Sequence, residues 1–420
     1  MFIYGVINKT LSTLSKRFNI DLHYFAKGGF WLLLTQGITI IGSLVSTAIF
    51  AHVLTSSDFG LYRYLISLAV LFTTFSLTGM AQSILQTAAK GYVAFFQYGV
   101  RKSLIYSLGI FITSLIGAGY YLYSGNADLA IGCVLIAVLQ PFISSFQNVV
   151  PFLQGLKKFK ESAKVQIFKV SFITIASTAV VFLSENVLFL LSAFLISQVL
   201  ANVLSALFFS AKYAEGADID ESTKERYLDY ARHISLQNVI SGIASRLDNI
   251  LVFQFLGASS LAVFVIATVV PDQVRGAFKN LIPLLIPKLA KYQRLSDLPF
   301  FLERSFQFFL ISAVGTLVLV LMIPFVYEIF FPKYLIATKY SQLLLMSLPA
   351  NVMLLPLSAL QSHLKEKELY HATTIGAIFQ IIVTVFLIPF LGIWGAISAR
   401  IVSRYFLAAL YFFYFFRIKD

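Results

Sequence analysis

Apolar residues run through this chain in blocks of about 20, separated by short polar stretches. A helix rises about 1.5 Å per residue and a bilayer core is about 30 Å thick, so each block is long enough to cross as a helix. The pattern predicts twelve spans, at about 29–53, 61–84, 102–122, 129–153, 165–184, 187–211, 233–256, 261–287, 304–327, 335–362, 371–390 and 393–416. Connections are short except at Lys212–Arg232, whose mixed charges read as a solvated link. This divides the chain into a first lobe at 1–211, a link at 212–232 and a second lobe at 233–420. Leu54-Thr-Ser-Ser-Asp-Phe-Gly-Leu-Tyr after span one is weakly repeated as Leu256-Gly-Ala-Ser-Ser-Leu-Ala-Val-Phe after span seven. Parallel repeats of this kind are a transporter architecture. Ahead of span one, Ile3, Val6, Ile7, Leu11, Leu14 and Phe18 share one helical face. Either a helix lying on the membrane surface or a frayed basic tail fits them.

The polar positions inside spans seven and eight carry the most information. The two spans are joined by the turn Gly257-Ala258-Ser259-Ser260. Thr268, Asp272, Arg275 and Lys279 fall on one face of span eight, at steps of four, three and four. Gln237, Ser241, Ser245 and Asp248 form one stripe of span seven, and Asn238, Gly242, Arg246 and Asn249 the next. Span twelve adds Arg400 and Arg404, one helical turn apart. A charge at mid-bilayer costs about 2.5–3.5 kcal/mol on insertion scales, so these groups should face a wet cavity or a partner. From helix rise, all but Lys279 lie roughly 12–21 Å from the outer boundary and form a basic layer in the second lobe. Arg63, just inside span two, adds a charge near the outer mouth of the first lobe.

A membrane-embedded basic cavity suits an anionic substrate, because Arg offers phosphate a planar fork of donors and Lys a point charge. Asp248 and Asp272 would orient these bases or bind a coupling cation or proton. Alternatively, Arg246/Asp248 and Asp272/Arg275 are internal ion pairs, which leaves Arg400 and Arg404 with no acid to balance them. The first lobe has no Asp or Glu inside a span. Its polar groups there include Gln36, Gln82, Gln140, Gln147, Asn148, Gln198 and Asn202, with Pro141 and Pro151 bracketing the Gln147-Asn148 pair. Such amides suit sugar hydroxyls or interhelical hydrogen bonds equally.

Composition narrows the class. The chain is 58% hydrophobic and 12% charged, against about 25% charged in soluble domains, and its mean hydropathy is +0.83. A net charge of +13 raises the question of nucleic acid. However, 24 of the 32 Lys and Arg fall on one side of the predicted topology, which makes the excess a topology signal and not a nucleic-acid footprint. That side is then cytoplasmic, with both termini on it. Cys133 is the single cysteine, so no disulfide can form within the chain. No cleavable signal peptide, metal-ligand spacing, Walker loop or nucleophile–base pair is visible, and no catalytic residue is expected. Outer loops of about 5–10 residues leave little room for a catalytic domain.

Three short motifs carry a family resemblance: Asp58-Phe-Gly-Leu-Tyr, Phe152-Leu-Gln-Gly-Leu-Lys-Lys-Phe-Lys, and Arg246-Leu-Asp-Asn-Ile-Leu-Val followed by Phe255-Leu-Gly. With twelve spans, the chain from about Lys27 to Phe416 resembles Wzx-type polysaccharide flippases of the MATE-like MOP exporter superfamily. The resemblance implies an all-α membrane protein with two six-helix bundles in a V around a central cavity. It implies alternating access that moves an undecaprenyl-pyrophosphate-linked oligosaccharide to the outer leaflet of the bacterial inner membrane. Arg246, Arg275, Lys279, Arg400, Arg404 and Arg63 would hold the pyrophosphate or an anionic glycan. Asn249, Gln140, Gln147, Asn148 and Gln36 would line the cavity. No cofactor is implied, Na+ or H+ being the candidate coupling ions, and a polysaccharide polymerase and glycosyltransferases are the partners. Other readings are a lipid II flippase, which would usually have two more spans, or a drug exporter, which would want a carboxylate deep in the first lobe. From another class comes a membrane polymerase or ligase acting on the same glycans, which would want long outer loops.

Overall fold

A computed structural model describes residues 22–213, 219–279, 301–363 and 365–417. The expected surface face Ile3–Phe18, part of the link and the end of span eight lie outside these residues. The first lobe holds α1 (Leu22–Val53), α2 (Ser56–Thr73), α3 (Met80–Ala89), α4 (Phe95–Tyr106), α5 (Leu108–Tyr123), α6 (Ala127–Phe146), α7 (Val149–Gly155), α8 (Phe159–Val181) and α9 (Val187–Tyr213). The second holds α10 (Glu221–Leu256), α11 (Ala258–Lys279), α12 (Phe301–Phe330), α13 (Ala337–Leu345), α14 (Leu354–Ser362) and α15 (Glu366–Arg417). Short 3-10 turns at Pro332–Tyr334 and Leu348–Met353 flank α13. The described residues contain no strand, as the hydrocarbon core demands of a chain that cannot expose unpaired backbone groups.

Among the described residues, ten stretches are long and apolar enough to cross a membrane. The 52-residue α15 is two crossings, because Gly392 leaves helical geometry at φ 58° and ψ −133°. A straight helix of that length would run about 78 Å, far beyond the bilayer. Positive φ suits glycine, which has no Cβ to clash. The remaining crossing is α2 with α3, broken at residues 74–79. Twelve crossings result among the described residues, six in each lobe.

Three local details differ from the sequence reading, each for a physical reason. The link is helical from Glu221 onward, because Asp220 caps α10 by accepting from the Thr223 N–H at 2.9 Å. Hydrogen bonds from Ser222 and Thr223 pull the Asp220 carboxyl down to about 2. The turn between α10 and α11 is the single residue Gly257 at φ 84°, and Ala258-Ser259-Ser260 already belongs to α11. Lys169, counted among the loop cations, lies ten residues into α8.

The lobes meet along α2 and α3 on one side and α10 and α11 on the other. At the Gly257 rim they touch backbone to backbone: a Cβ placed on Gly60 would sit 1.9 Å from the Ala258 carbonyl oxygen. Tyr64 stacks on Phe253 with ring centroids 3.7 Å apart, and Tyr64 and Tyr121 share a hydroxyl hydrogen bond. Further along, Asn249 Nδ2 donates to Ser67 Oγ at 2.8 Å, and Asn238 Nδ2 to Thr78 Oγ1 at 3.2 Å. Toward the basic rim, Ser235 Oγ accepts from the Gly79 N–H at 2.9 Å and Gln86 Nε2 donates to Tyr230 Oη at 2.8 Å. Small residues and paired polar groups are what bring helices together in lipid, where apolar area alone gives little drive. The outer faces carry exposed Ile311, Val314, Leu317, Leu321 and Phe325 on α12, as a lipid-facing helix should.

The Gly60 contact generates a direct test. Gly60→Leu should lower the thermal midpoint of the purified protein in detergent by several degrees, whereas Gly119→Leu, where a Cβ meets nothing within 4 Å, should leave it within about a degree.

Candidate functional site

A cavity of about 350 Å³ opens inside the second lobe. α10 contributes Ser241, Ser245, Arg246 and Asp248; α11 contributes Asp272, Arg275, Gly276 and Lys279. Both limbs of α15 complete it, the first with Thr373, Gly376 and Gln380, the second with Arg400, Ser403 and Arg404. The i, i+3, i+4 spacing of the charges on α11 and α15 aims them all into one chamber. Five cations and two carboxylates line it, a net charge of +3.

The acids are not distributed as the sequence suggested. Arg400 Nε donates to Asp248 Oδ2, and Arg400 Nη1 donates to Asp272 Oδ2 at 2.9 Å. Arg404 Nη2 donates to Asp272 Oδ1 at 2.6 Å, and its Nη1 to Ser347 Oγ at 2.7 Å. So Arg400 and Arg404 are balanced, and the expected pairs Arg246/Asp248 and Asp272/Arg275 are not formed. Helical geometry explains the first: residues two apart point to nearly opposite sides and cannot meet. Asp272 turns both oxygens toward α15, one to Arg400 and one to Arg404, and makes no ion pair with Arg275. The cluster is deep, with Asp248 only 2% exposed at its side chain and Arg404 8%. The Arg400 guanidinium also lies 4.9 Å from the centroid of the Phe264 ring. Gln380 Nε2 donates to the Ala244 carbonyl at 3.0 Å and fixes the first limb of α15 to α10.

Among the described residues, Arg246, Arg275 and Lys279 make no ion pair, and the buried Nε atoms of Arg246 and Arg275 have no hydrogen-bond partner. A buried donor left unsatisfied costs about 1–3 kcal/mol, more when charged. These three groups are therefore the cavity's free binding capacity.

The other sequence-predicted residues lie elsewhere. Arg63 lines a separate first-lobe chamber of about 300 Å³. Asn249 is buried and spent on Ser67, and Gln140 donates to Thr73 Oγ1 at 3.0 Å. Gln36 lies against Gly276, beside the Gln273 Nε2 to Ser43 Oγ bond of 3.2 Å between α11 and α1. Gln147 and Asn148 line a first-lobe chamber of about 480 Å³ that also holds Gln166 and Lys169. The sequence reading missed Ser347, Gln380 and Lys169. Pro349 after Ser347 was the one visible signal of the break that turns the buried Ser347 toward Arg404. No group of three or more His, Cys, Asp or Glu among the described residues has metal-binding geometry.

The ion-pair cluster predicts non-additive stability. Removing one partner of a buried pair costs about 3–5 kcal/mol, whereas replacing both with apolar groups is often neutral. Asp248→Ala should therefore lower the midpoint of thermal unfolding strongly, and Asp248→Leu with Arg400→Leu should recover much of the loss.

Comparison with known proteins places this geometry. The profile of a family described as "Polysaccharide biosynthesis protein" matches residues 49–298, more than half of the 420-residue chain. Among solved structures, the fold is similar to an outward-facing multidrug resistance MATE family transporter of the MOP superfamily, at 14% identity and TM-score 0.62, covering 93% of this chain and 94% of that one. A MOP superfamily transporter from Pyrococcus furiosus, described as having a binding pocket of reversed polarity, matches at 16% identity and TM-score 0.62, covering 93% and 94%. The lipid II flippase MurJ in an inward closed conformation matches at 15% identity and TM-score 0.60, covering 90% and 86%. No curated protein matches the chain. At these identities the structural likeness gives the fold, and the profile gives the family. A multi-pass membrane protein with the MATE-like fold, the chain belongs to the polysaccharide biosynthesis protein family.

Proposed function

We propose that this protein is a flippase that carries an undecaprenyl-pyrophosphate-linked oligosaccharide across the bacterial inner membrane, from the cytoplasmic to the outer leaflet, by alternating access. The observation that carries the proposal is the free cationic trio Arg246, Arg275 and Lys279 in a chamber of net charge +3. A diphosphate offers two adjoining groups of anionic acceptors, which suit two guanidinium forks and an ammonium. A net positive chamber favours an anionic lipid over a cationic drug. The polysaccharide biosynthesis family supports an outward direction, and the clustering of Lys and Arg in one set of loops supports cytoplasmic termini by the positive-inside rule.

Arg400 and Arg404 act here by position. Their charge is largely cancelled by Asp248 and Asp272, and they tie the second limb of α15 to α10 and α11. Of the two acids, Asp272 is 42% exposed at its side chain and Asp248 2%. Coupling to Na+ or H+ would therefore run through Asp272, whose two arginines would be released when a cation or proton took their place. Arg63 faces its own chamber and lies within electrostatic range of Arg246 across the lobe interface, so it serves the path between chambers. The pathway's glycosyltransferases would supply the lipid-linked unit and its polymerase would consume it.

Reconstituted vesicles bearing a defined undecaprenyl-diphosphate glycan test the reading. Single changes Arg246→Ala, Arg275→Ala and Lys279→Ala should each slow flipping by about ten- to a hundredfold, the cost of one charged hydrogen bond. Flipping at the wild-type rate in all three would remove the trio from the site. Asp272→Asn should abolish the response to an imposed ion gradient; a normal response would move coupling elsewhere.

A further inference from the structure

The geometry points to a second binding site in the first lobe, for the glycan of the substrate, selective for a sugar that bears a carboxylate. This rests on the reading of the second-lobe cavity as the diphosphate site. The chamber of about 480 Å³ is lined by Gln147, Asn148, Gln166, Lys169, Gln198 and Asn202. It shares Val170, Ile173 and Gln198 as a common wall with the chamber of about 300 Å³ that holds Arg63, so the two adjoin. That adjoining chamber carries Phe50, Tyr62 and Phe194, with Phe50 and Tyr62 stacked at 5.0 Å.

Three observations make the larger chamber a site and not packing. First, part of its polar lining is free, although Gln147, Asn148 and Asn202 each donate to a backbone carbonyl about one turn back. Among the described residues, the side chains of Gln166, Lys169 and Gln198 make no hydrogen bond, and the buried Asn202 Oδ1 has no partner. A primary amide sets an acceptor beside two donors, which matches neighbouring hydroxyls on a sugar ring. Second, the chamber lies at one of two breaks that stand in corresponding places of the two halves. The fourth span of the first lobe breaks at Gln147-Asn148 between α6 and α7, and the fourth of the second lobe breaks at Leu348–Met353. The second break presents Ser347 to Arg404 at the cationic cavity. Paired interruptions in repeated halves mark binding sites in transporters. Third, α10 stands between the chambers: its Asn238 reaches Thr78 of the first-lobe chamber, and its Arg246 lines the second-lobe cavity. One substrate can therefore place its diphosphate on one side and its sugars on the other.

Lys169 sets the class of sugar. It lies about 15 Å along α8 from Phe159, in a wall otherwise made of neutral groups, and makes no ion pair among the described residues. A lone ammonium in low dielectric strongly favours one carboxylate, through a charge-assisted hydrogen bond. The diphosphate, with more charge, belongs in the chamber with three free cations.

Binding to the full-length protein in nanodiscs separates the alternatives, with three probes: undecaprenyl diphosphate, its glucosyl derivative and its glucuronyl derivative. The wild type should bind the glucuronyl lipid at least about tenfold more tightly than the glucosyl lipid. Lys169→Gln should erase that preference and leave the affinity for sugar-free undecaprenyl diphosphate unchanged, which also shows that the variant is folded. Equal binding of the two sugar lipids by the wild type, or a preference retained in Lys169→Gln, would overturn the glycan site alone. Failure of the wild type to bind sugar-free undecaprenyl diphosphate would overturn the diphosphate cavity and this inference with it.

Discussion

Two carboxylates shared among two arginines organise the second lobe. Asp248 and Asp272 each accept from Arg400, and Asp272 also accepts from Arg404, deep between α10, α11 and α15. Such a cluster is a weak source of net stability, because desolvating four charges offsets most of their attraction. Its strength is geometric: this one arrangement of three helices pairs all four groups at once. It fixes which cations are neutralised and which remain free. Without the acids, all five bases would repel one another; with four acids, the chamber would carry little charge to attract an anion.

That division of labour gives the lobes different characters. The second lobe holds free positive charge, and the first holds neutral amides with two isolated cations, Lys169 and Arg63. They meet at α2, α3, α10 and α11, where close glycine approaches at Gly60, Gly242 and Gly79, aromatic pairs such as Tyr64–Phe253 and Phe95–Tyr227, and hydrogen bonds run along the whole interface.

Much of this was legible in the sequence. Apolar blocks of bilayer length gave twelve crossings, and the seven charged residues of the second-lobe cavity were identified from periodicity and depth. Periodicity says which side of its own helix a residue occupies, but not which neighbour stands opposite. That is why Arg400 and Arg404 looked unbalanced although both acids serve them. Ser347 lies in a break between helices, where no period exists to read. Lys169 was hidden by the topology argument itself, since a lysine near a basic loop is counted with the loop even when its helix carries it inward. Asn249 showed the opposite error: a polar residue on the right stripe whose hydrogen bond to Ser67 serves the interface.

The central claim is that Arg246 and Arg275, and not the paired Arg400 and Arg404, touch the lipid's diphosphate. Solid-state NMR distances between lipid phosphorus and guanidinium nitrogen, taken on arginine-labelled protein in bilayers containing undecaprenyl diphosphate, measure this directly. The account predicts close phosphorus–nitrogen contacts that disappear in the double variant Arg246→Gln/Arg275→Gln. Contacts that persist unchanged in that variant would contradict it.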